Sequence, residues 1–151
     1  MASKVARRGI AFVAHSFAPR DVTIIKLIKR IARSTGYSIV SGEAPAPTGV
    51  SYKVRTRIES SSLLIAILTR RHCVGASVWT TSPWVIEEKA YSLGDAKDRP
   101  IVLCVETGVA VPGEIGGING DLEYITFDRY RIDLLARQLR ALLRSLHLRE
   151  S

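Results

Sequence analysis

The chain has 151 residues, of which 46% are hydrophobic and 24% are charged. This length and balance are typical of one globular domain and exclude an intrinsically disordered chain. The longest uninterrupted apolar run, Leu63 to Leu68, is far shorter than the roughly 20 residues that cross a bilayer, so no membrane partner is expected.

The net charge of +8 invites comparison with nucleic-acid-binding proteins, but the basic residues are spread along the chain. In residues 24–33 and 135–146 they interleave with apolar residues at helical spacing, which is typical of helices with one buried and one solvated face. No aromatic stacking platform accompanies the charge. Nucleic acid is therefore not an expected partner, and an anionic small ligand suits the charge equally well.

The chain begins with a basic tail, residues 1–8, which lacks the apolar region of a signal peptide. We therefore expect a cytoplasmic protein. A single domain covers residues 9–148, with no linker long enough to divide it. The two cysteines, Cys73 and Cys104, belong to no CxxC motif and to no cluster with metal-ligand spacing. Neither a metal site nor a bound cofactor is expected.

Short apolar runs alternate with segments of helical period along the domain. The predicted strands are Ile10 to Val13, Ser38 to Val40, Leu63 to Leu68, Ile101 to Val105 and Glu123 to Phe127. The predicted helices are Asp21 to Ser34, Val50 to Ser60, Ser82 to Leu93 and Arg131 to Leu148. The strongest strand runs are continuous rather than alternating, as in a parallel sheet that is covered on both faces. The order predicts an α/β fold with a doubly wound, flavodoxin-like parallel sheet.

In such sheets ligands bind at the carboxyl ends of the strands. Three loops should meet there, namely His15 to Asp21, Gly42 to Gly49, and Thr69 to Trp84. The first loop offers the imidazole of His15, the hydroxyl of Ser16 and the ring of Phe17 beside a helix start. No GxGxxG, Walker or GxSxG motif is present, so neither the usual phosphate cradle nor a hydrolase serine is predicted. The glycine-rich segment 111–121 is interpreted as a structural loop.

The segment from Ser82 to Tyr91 is the best candidate for chemistry. Ser82 followed by Pro83 predicts a helix start. At about 100° per residue, Trp84, Glu88 and Tyr91 share one stripe of that helix. The opposite stripe, which we predict to face the core, contains Ile86, Ala90 and Leu93. An acid between two aromatic rings predicts a functional Glu88, with a plain surface glutamate near a helix start as the alternative.

Three motifs give the chain its resemblance to a known family. They are Phe12 to Phe17 (FVAHSF) followed by Asp21, Leu64 to Thr69 (LIAILT), and Ser82 to Glu88 (SPWVIEE). Together, at these spacings, they resemble the bacterial form of the Toll and interleukin receptor homology (TIR) domain. The resemblance extends from about Arg8 to Leu146, and it implies five parallel strands with flavodoxin-like winding.

The resemblance also implies an activity, because enzymatic TIR domains cleave the bond between nicotinamide and ribose in NAD. They carry a glutamate four residues after a tryptophan, which corresponds here to Glu88 and Trp84. The resemblance therefore implies a catalytic Glu88, NAD as the substrate, and ADP-ribose or a cyclic isomer as the product. The substrate-binding residues that it suggests are His15, Ser16, Phe17, Gly42, Glu43, Ser82 and Trp84.

Family members generally act as assemblies, so the resemblance implies a homo-oligomer formed through TIR contacts, with a sensor or effector protein as a further partner. The biological setting that it implies is antiphage or innate immune signalling. Two alternatives remain open. One is a non-catalytic TIR module that signals by homotypic assembly through the Gly42 to Gly49 loop and adjacent helices. The other is an enzyme like the nucleoside deoxyribosyltransferases, in which a glutamate is the nucleophile.

Overall fold

The architecture is taken from a computed structural model, which describes residues 7–42, 51–94, 99–110 and 122–150. The strands are β1 (Gly9–Ala14), β2 (Tyr37–Ser41), β3 (Leu63–Leu68), β4 (Cys73–Gly75), β5 (Val78–Trp79), β6 (Ile101–Glu106) and β7 (Leu122–Phe127). The helices are α1 (Val22–Ser34), α2 (Tyr52–Glu59), α3 (Pro83–Gly94) and α4 (Ile132–Glu150), with a 3-10 turn (Pro19–Asp21) before α1. Glu43, the rest of the loop up to Gly49, and the glycine-rich segment lie outside the described residues.

Five of the described strands form one parallel sheet in the order β2-β1-β3-β6-β7. This is the flavodoxin-like, doubly wound α/β fold that the sequence predicted. Chain order along the sheet reverses between β1 and β3, where Ala14 pairs with Ala66. The connections on either side of this point leave on opposite faces, so a crevice opens at the carboxyl ends of these two strands.

Each face of the sheet has its own apolar core, because successive side chains of a strand point to opposite faces. On one face Val13 and Ile65 pack with Ile28 of α1 and Leu139 of α4. On the other face the core includes Phe12, Leu64 and Leu103, packed with Ile58 of α2 and Val85 of α3. Every residue of β3 and of β6 is buried. This explains why β3 is a continuous apolar run and why β6 is one up to its last residue, Glu106.

The orientation of α3 differs from the prediction. Its buried residues are Val85, Glu88, Lys89 and Ser92. Ala90 is exposed, while Ile86 and Leu93 pack at the margin of the core. The predicted core stripe, and with it the placement of Glu88 off the buried face, is therefore wrong. One reason is that the buried guanidinium of Arg99 lies against the inward face of α3. Its Nη1 donates to Ser92 Oγ at 3.0 Å.

A small antiparallel hairpin of β4 and β5 interrupts the loop between β3 and α3. The sequence predicted a loop here, because strands of three and two residues are too short to show a periodic pattern. The backbone of Trp79 joins the hairpin to the segment after β6: its N–H donates to Gly108 O at 2.9 Å, and its carbonyl accepts from Ala110 N at 2.9 Å. Gly108 has φ +93°, and a β-carbon there would lie 3.1 Å from Ser77 O. The hairpin thus packs closely onto this turn.

Among the helices in the described part of the chain, none has both the length and the apolar character needed to cross a membrane.

Candidate functional site

A pocket of about 300 Å³ opens at the carboxyl ends of β1 and β3. Four residues that the sequence analysis selected line it, namely Ser16, Phe17, Ser82 and Trp84. Thr69 and Arg71 also line the pocket. Both belong to the Thr69 to Trp84 loop that was predicted to reach this crevice, but neither was predicted as a binding residue.

A buried carboxylate lies beneath this pocket. Asp21 is only 1% exposed, and three side chains donate hydrogen bonds to it. Ser16 Oγ and Thr69 Oγ1 both donate to Oδ2, the second at 2.7 Å, while Arg129 Nη2 donates to Oδ1 at 3.0 Å. Since the donors come from the ends of β1, β3 and β7, this one carboxylate holds together three loops of the crevice.

Arg129 connects Asp21 to a second buried carboxylate, that of Glu106 at the end of β6. Its Nε and Nη2 atoms donate to the two oxygens of Glu106 at 2.5 and 2.8 Å, and the backbone N–H of Arg70 adds a third bond at 2.8 Å. Burial alone would raise the pKa of Glu106, but the bonds from Arg129 and Arg70 outweigh burial and keep that pKa below its usual value. The bonds thus support an ionised Glu106 that is linked through Arg129 to Asp21, which lines the pocket.

Aromatic groups form one wall of the pocket. The ring centroids of Phe17 and Trp84 are 6.2 Å apart, and those of His15 and Phe17 are 5.2 Å apart. The guanidinium carbon of Arg71 lies 5.1 Å from the centre of the Trp84 ring. Trp84 Nε1 also donates to the carbonyl of His15 at 3.2 Å, which ties α3 to the end of β1. The wall therefore presents flat apolar surfaces beside a positive charge.

Glu88 lies one helical turn after Trp84 and is 5% exposed. Its carboxylate faces Gly42, the residue that follows β2. Glu88 does not line the 300 Å³ pocket, whereas Trp84, one turn earlier on the same helix, does. Burial, with a smaller contribution from the charge of Glu87, raises the pKa of Glu88 to about 7. A carboxyl group with this pKa changes its charge within the physiological range of pH.

Four buried polar atoms near this edge of the sheet have no hydrogen-bond partner among the described residues. They are His15 Nε2, Ser41 Oγ, Thr81 Oγ1 and Glu88 Oε2. Leaving such a group unpaired costs about 1–3 kcal/mol, so native structures rarely leave several in one place. One follows β1, one ends β2, and two belong to α3 or the segment before it. This concentration makes the edge a candidate site for a polar ligand.

Within the described residues, no group of three or more His, Cys, Asp or Glu side chains is arranged to hold a metal ion. Of the predicted substrate-binding residues, Glu43 lies outside the described residues. His15 and Gly42 do not line the pocket, but they lie close to Trp84 and Glu88 respectively. Neither a protein-family model nor a curated protein matches this chain.

Proposed function

We propose that this chain is a TIR-domain enzyme that cleaves the bond between nicotinamide and ribose in NAD, with Glu88 as the catalytic residue. The observation that carries the proposal is the buried Glu88 Oε2, which has no partner among the described residues at the carboxyl edge of a parallel sheet. The resemblance of the three sequence motifs to bacterial TIR domains supplies the substrate class.

The proposed reaction needs a negative charge near the ribose. When the C1′–N bond breaks, its electron pair leaves with nicotinamide, and positive charge develops on the ribose ring. A carboxylate in a site with little water stabilises that charge in the transition state, as in glycoside hydrolysis. Water then bonds to C1′ and releases a proton, which gives ADP-ribose. Attack by the adenine of the same molecule gives a cyclic isomer instead.

The pocket beside Glu88 suits part of such a substrate. Its volume of about 300 Å³ is at the lower end of the range for ligand pockets, so it accommodates one portion of a dinucleotide rather than the whole molecule. The rings of Phe17 and Trp84 offer stacking surfaces. The guanidinium groups of Arg20 and Arg71, which also line the pocket, suit a diphosphate. These groups account for binding, while Glu88 accounts for bond cleavage.

The direct test is to incubate the purified chain with NAD and to identify the products by chromatography and mass spectrometry. We expect free nicotinamide from the wild type and from Glu87→Gln, which removes an exposed carboxylate from the same helix. We expect none from Glu88→Gln, although its circular dichroism should be unchanged. Nicotinamide release from Glu88→Gln at the wild-type rate would refute the proposal.

A non-catalytic assembly module is a second candidate, and the β4–β5 hairpin favours it. Val74 and Val78 are 63% and 40% exposed there, which is unusual for a pair of apolar side chains on one small hairpin. This candidate requires self-association, measured by light scattering, together with no turnover of NAD at any concentration. Homo-oligomers are also part of the enzymatic proposal, so turnover rather than association separates the two.

Deoxynucleosides in the same assay would test the deoxyribosyltransferase-like alternative, which predicts exchange of their bases and no reaction with NAD.

We also propose a cytoplasmic location. Cys73 and Cys104, both present as free thiols, are compatible with that reducing compartment.

A further inference from the structure

The second polar side chain at this edge is His15, whose tautomer follows from one contact. Nδ1 lies 2.7 Å from the carbonyl oxygen of Ser16. A carbonyl oxygen can only accept a hydrogen bond, so Nδ1 is the donor and carries the ring proton. In the neutral imidazole, Nε2 is then an acceptor with a free lone pair. Nε2 is buried, and no described residue donates to it.

The ring and the backbone of His15 are each contacted by one aromatic residue. The ring centroid is 5.2 Å from that of Phe17, and Trp84 Nε1 donates to the backbone carbonyl of His15 at 3.2 Å. Trp84 is one helical turn before Glu88, so the same helix positions the carboxylate and contacts the histidine. In the sheet, Val13 pairs with Ser41. His15 and Gly42 therefore both lie just beyond this pair. The Glu88 carboxylate lies against Gly42.

The surroundings favour the neutral ring. Burial lowers the pKa of His15 below its usual value of 6.5, and the charge of Lys29 on α1 acts in the same direction. The hydrogen bond to Ser16 and the charge of Asp21 oppose this shift without reversing it. On α3 the buried acid at this edge is Glu88, which is partly protonated near neutral pH. The Nε2 lone pair is thus available at neutral pH.

We propose that His15 is a second catalytic residue, a general base whose Nε2 takes the proton of the water that attacks the ribose. This inference rests on the proposed function. In the step, the C1′–N bond breaks and its electron pair leaves with nicotinamide, while the water oxygen bonds to C1′. The water proton passes to Nε2 and then to solvent, which restores the neutral imidazole. Glu88 stays ionised throughout and stabilises the charge on the ribose.

The matched variant is His15→Asn. The asparagine side-chain amide can still donate to the Ser16 carbonyl from the position of Nδ1, but it has no atom in the place of Nε2. General base catalysis contributes roughly 10²- to 10⁴-fold, so we expect kcat to fall at least about 100-fold with KM changed less than about 2-fold. If the histidine served only to hold the loop, this variant would keep a rate near that of the wild type.

The pH profile gives a readout that a structural role would not affect. In the wild type both Glu88 and His15 must lose a proton, so log kcat/KM should rise at acid pH with a slope approaching about two. In His15→Asn the slope should fall to about one, since only Glu88 still titrates. An unchanged slope and an unchanged kcat would overturn the role of His15.

A measurement on the wild-type protein alone keeps the inference testable if the variant does not fold. Nitrogen-15 NMR should show the His15 ring at pH 7 as the neutral tautomer with its proton on Nδ1. A ring protonated on Nε2 would overturn the inference. Nicotinamide release that depends on Glu88 but not on His15 would overturn this inference alone. The absence of release from the wild type would overturn both this inference and the proposed function.

Discussion

Gly42 leaves room for the carboxylate of Glu88. A β-carbon built at position 42 would lie 2.7 Å from Oε1 and 3.2 Å from Oε2. Gly42 follows β2 and Glu88 belongs to α3, so the end of a strand and the side of a helix meet at this carboxylate. A methyl group here would displace the flexible end of the Glu88 side chain and leave the backbone in place.

Gly42→Ala should therefore reduce activity more than stability. Displacing a catalytic group by about 1 Å can cost up to about 100-fold in rate, so we expect nicotinamide release to fall by about 10- to 100-fold. The melting temperature should change little, because the side chain can move aside. Steady-state kinetics and calorimetry measure the two effects. A full wild-type rate would show that the carboxylate does not need this position.

Glu88→Gln should stabilise the protein increasingly as the pH rises. Because the folded-state pKa of Glu88 is raised from 4.5 to about 7, the folded protein keeps a proton that the unfolded chain loses. The wild type thus loses stability as the pH rises from about 4.5 to 7. Relative to the wild type, we expect Glu88→Gln to gain about 2–3 kcal/mol between pH 5 and pH 8. Urea unfolding at both pH values measures this gain, and Asp133→Asn, an exposed carboxylate, is the control.

Glu87→Gln should shift the pH profile of catalysis without abolishing it. The negative charge of Glu87 contributes to the raised pKa of Glu88. Removing that charge lowers the pKa of Glu88, so the active, ionised form should appear at a lower pH. We expect the acid limb of kcat/KM to move to lower pH while the plateau rate stays the same. A shift to higher pH would contradict the assignment of this limb to Glu88.

Arg129→Met should strongly destabilise the protein. Arg129 hydrogen-bonds both Asp21 and Glu106, each 1% exposed, and its removal leaves two buried carboxylates without their shared counter-ion. Removing one partner of such a group costs about 3–5 kcal/mol. The matched control is Arg137→Met, which breaks an exposed helix pair with Asp133 and should cost less than about 0.5 kcal/mol. Urea unfolding compares the two.

The effect of Arg129→Met should also depend on pH. In the wild type, the lowered pKa of Glu106 gives stability above the usual carboxyl pKa that is lost as the pH falls through the folded-state value. Without Arg129, Glu106 takes up its proton more readily. The difference in unfolding free energy between wild type and variant should therefore shrink in acid. A constant difference would show that Arg129 acts through packing alone.

The element order and the parallel winding could be predicted from the sequence because their signals are local. A strand buried on both faces is apolar at nearly every position, and β3 and β6 show this in the runs LLIAIL and IVLCV, the second of which ends at the buried Glu106. The start of α3 is equally local, since the structure begins this helix at Pro83, directly after Ser82. The spacing of Trp84 and Glu88 on one helix required no tertiary information.

The face that α3 buries could not be read from its sequence. Its apolar and polar residues form no clean stripe, so contacts with β1 and β3 and with Arg99, which lies beyond the end of the helix, decide which side chains turn inward. The Asp21–Arg129–Glu106 network could not be predicted from the sequence either. Its members are up to 108 positions apart, and each is an ordinary charged residue in isolation.

The sequence by itself determined where the helices and the strands of the parallel sheet form and which residue types follow each strand, since propensity, periodicity and capping act over a few neighbouring residues. Only the tertiary structure decided that Glu88 is buried against Gly42, that His15 Nε2 and Glu88 Oε2 have no partner among the described residues, and that Arg129 joins two carboxylates. Those features depend on desolvation and on contacts between segments far apart in the chain, and both arise only when the sheet and its helices pack together.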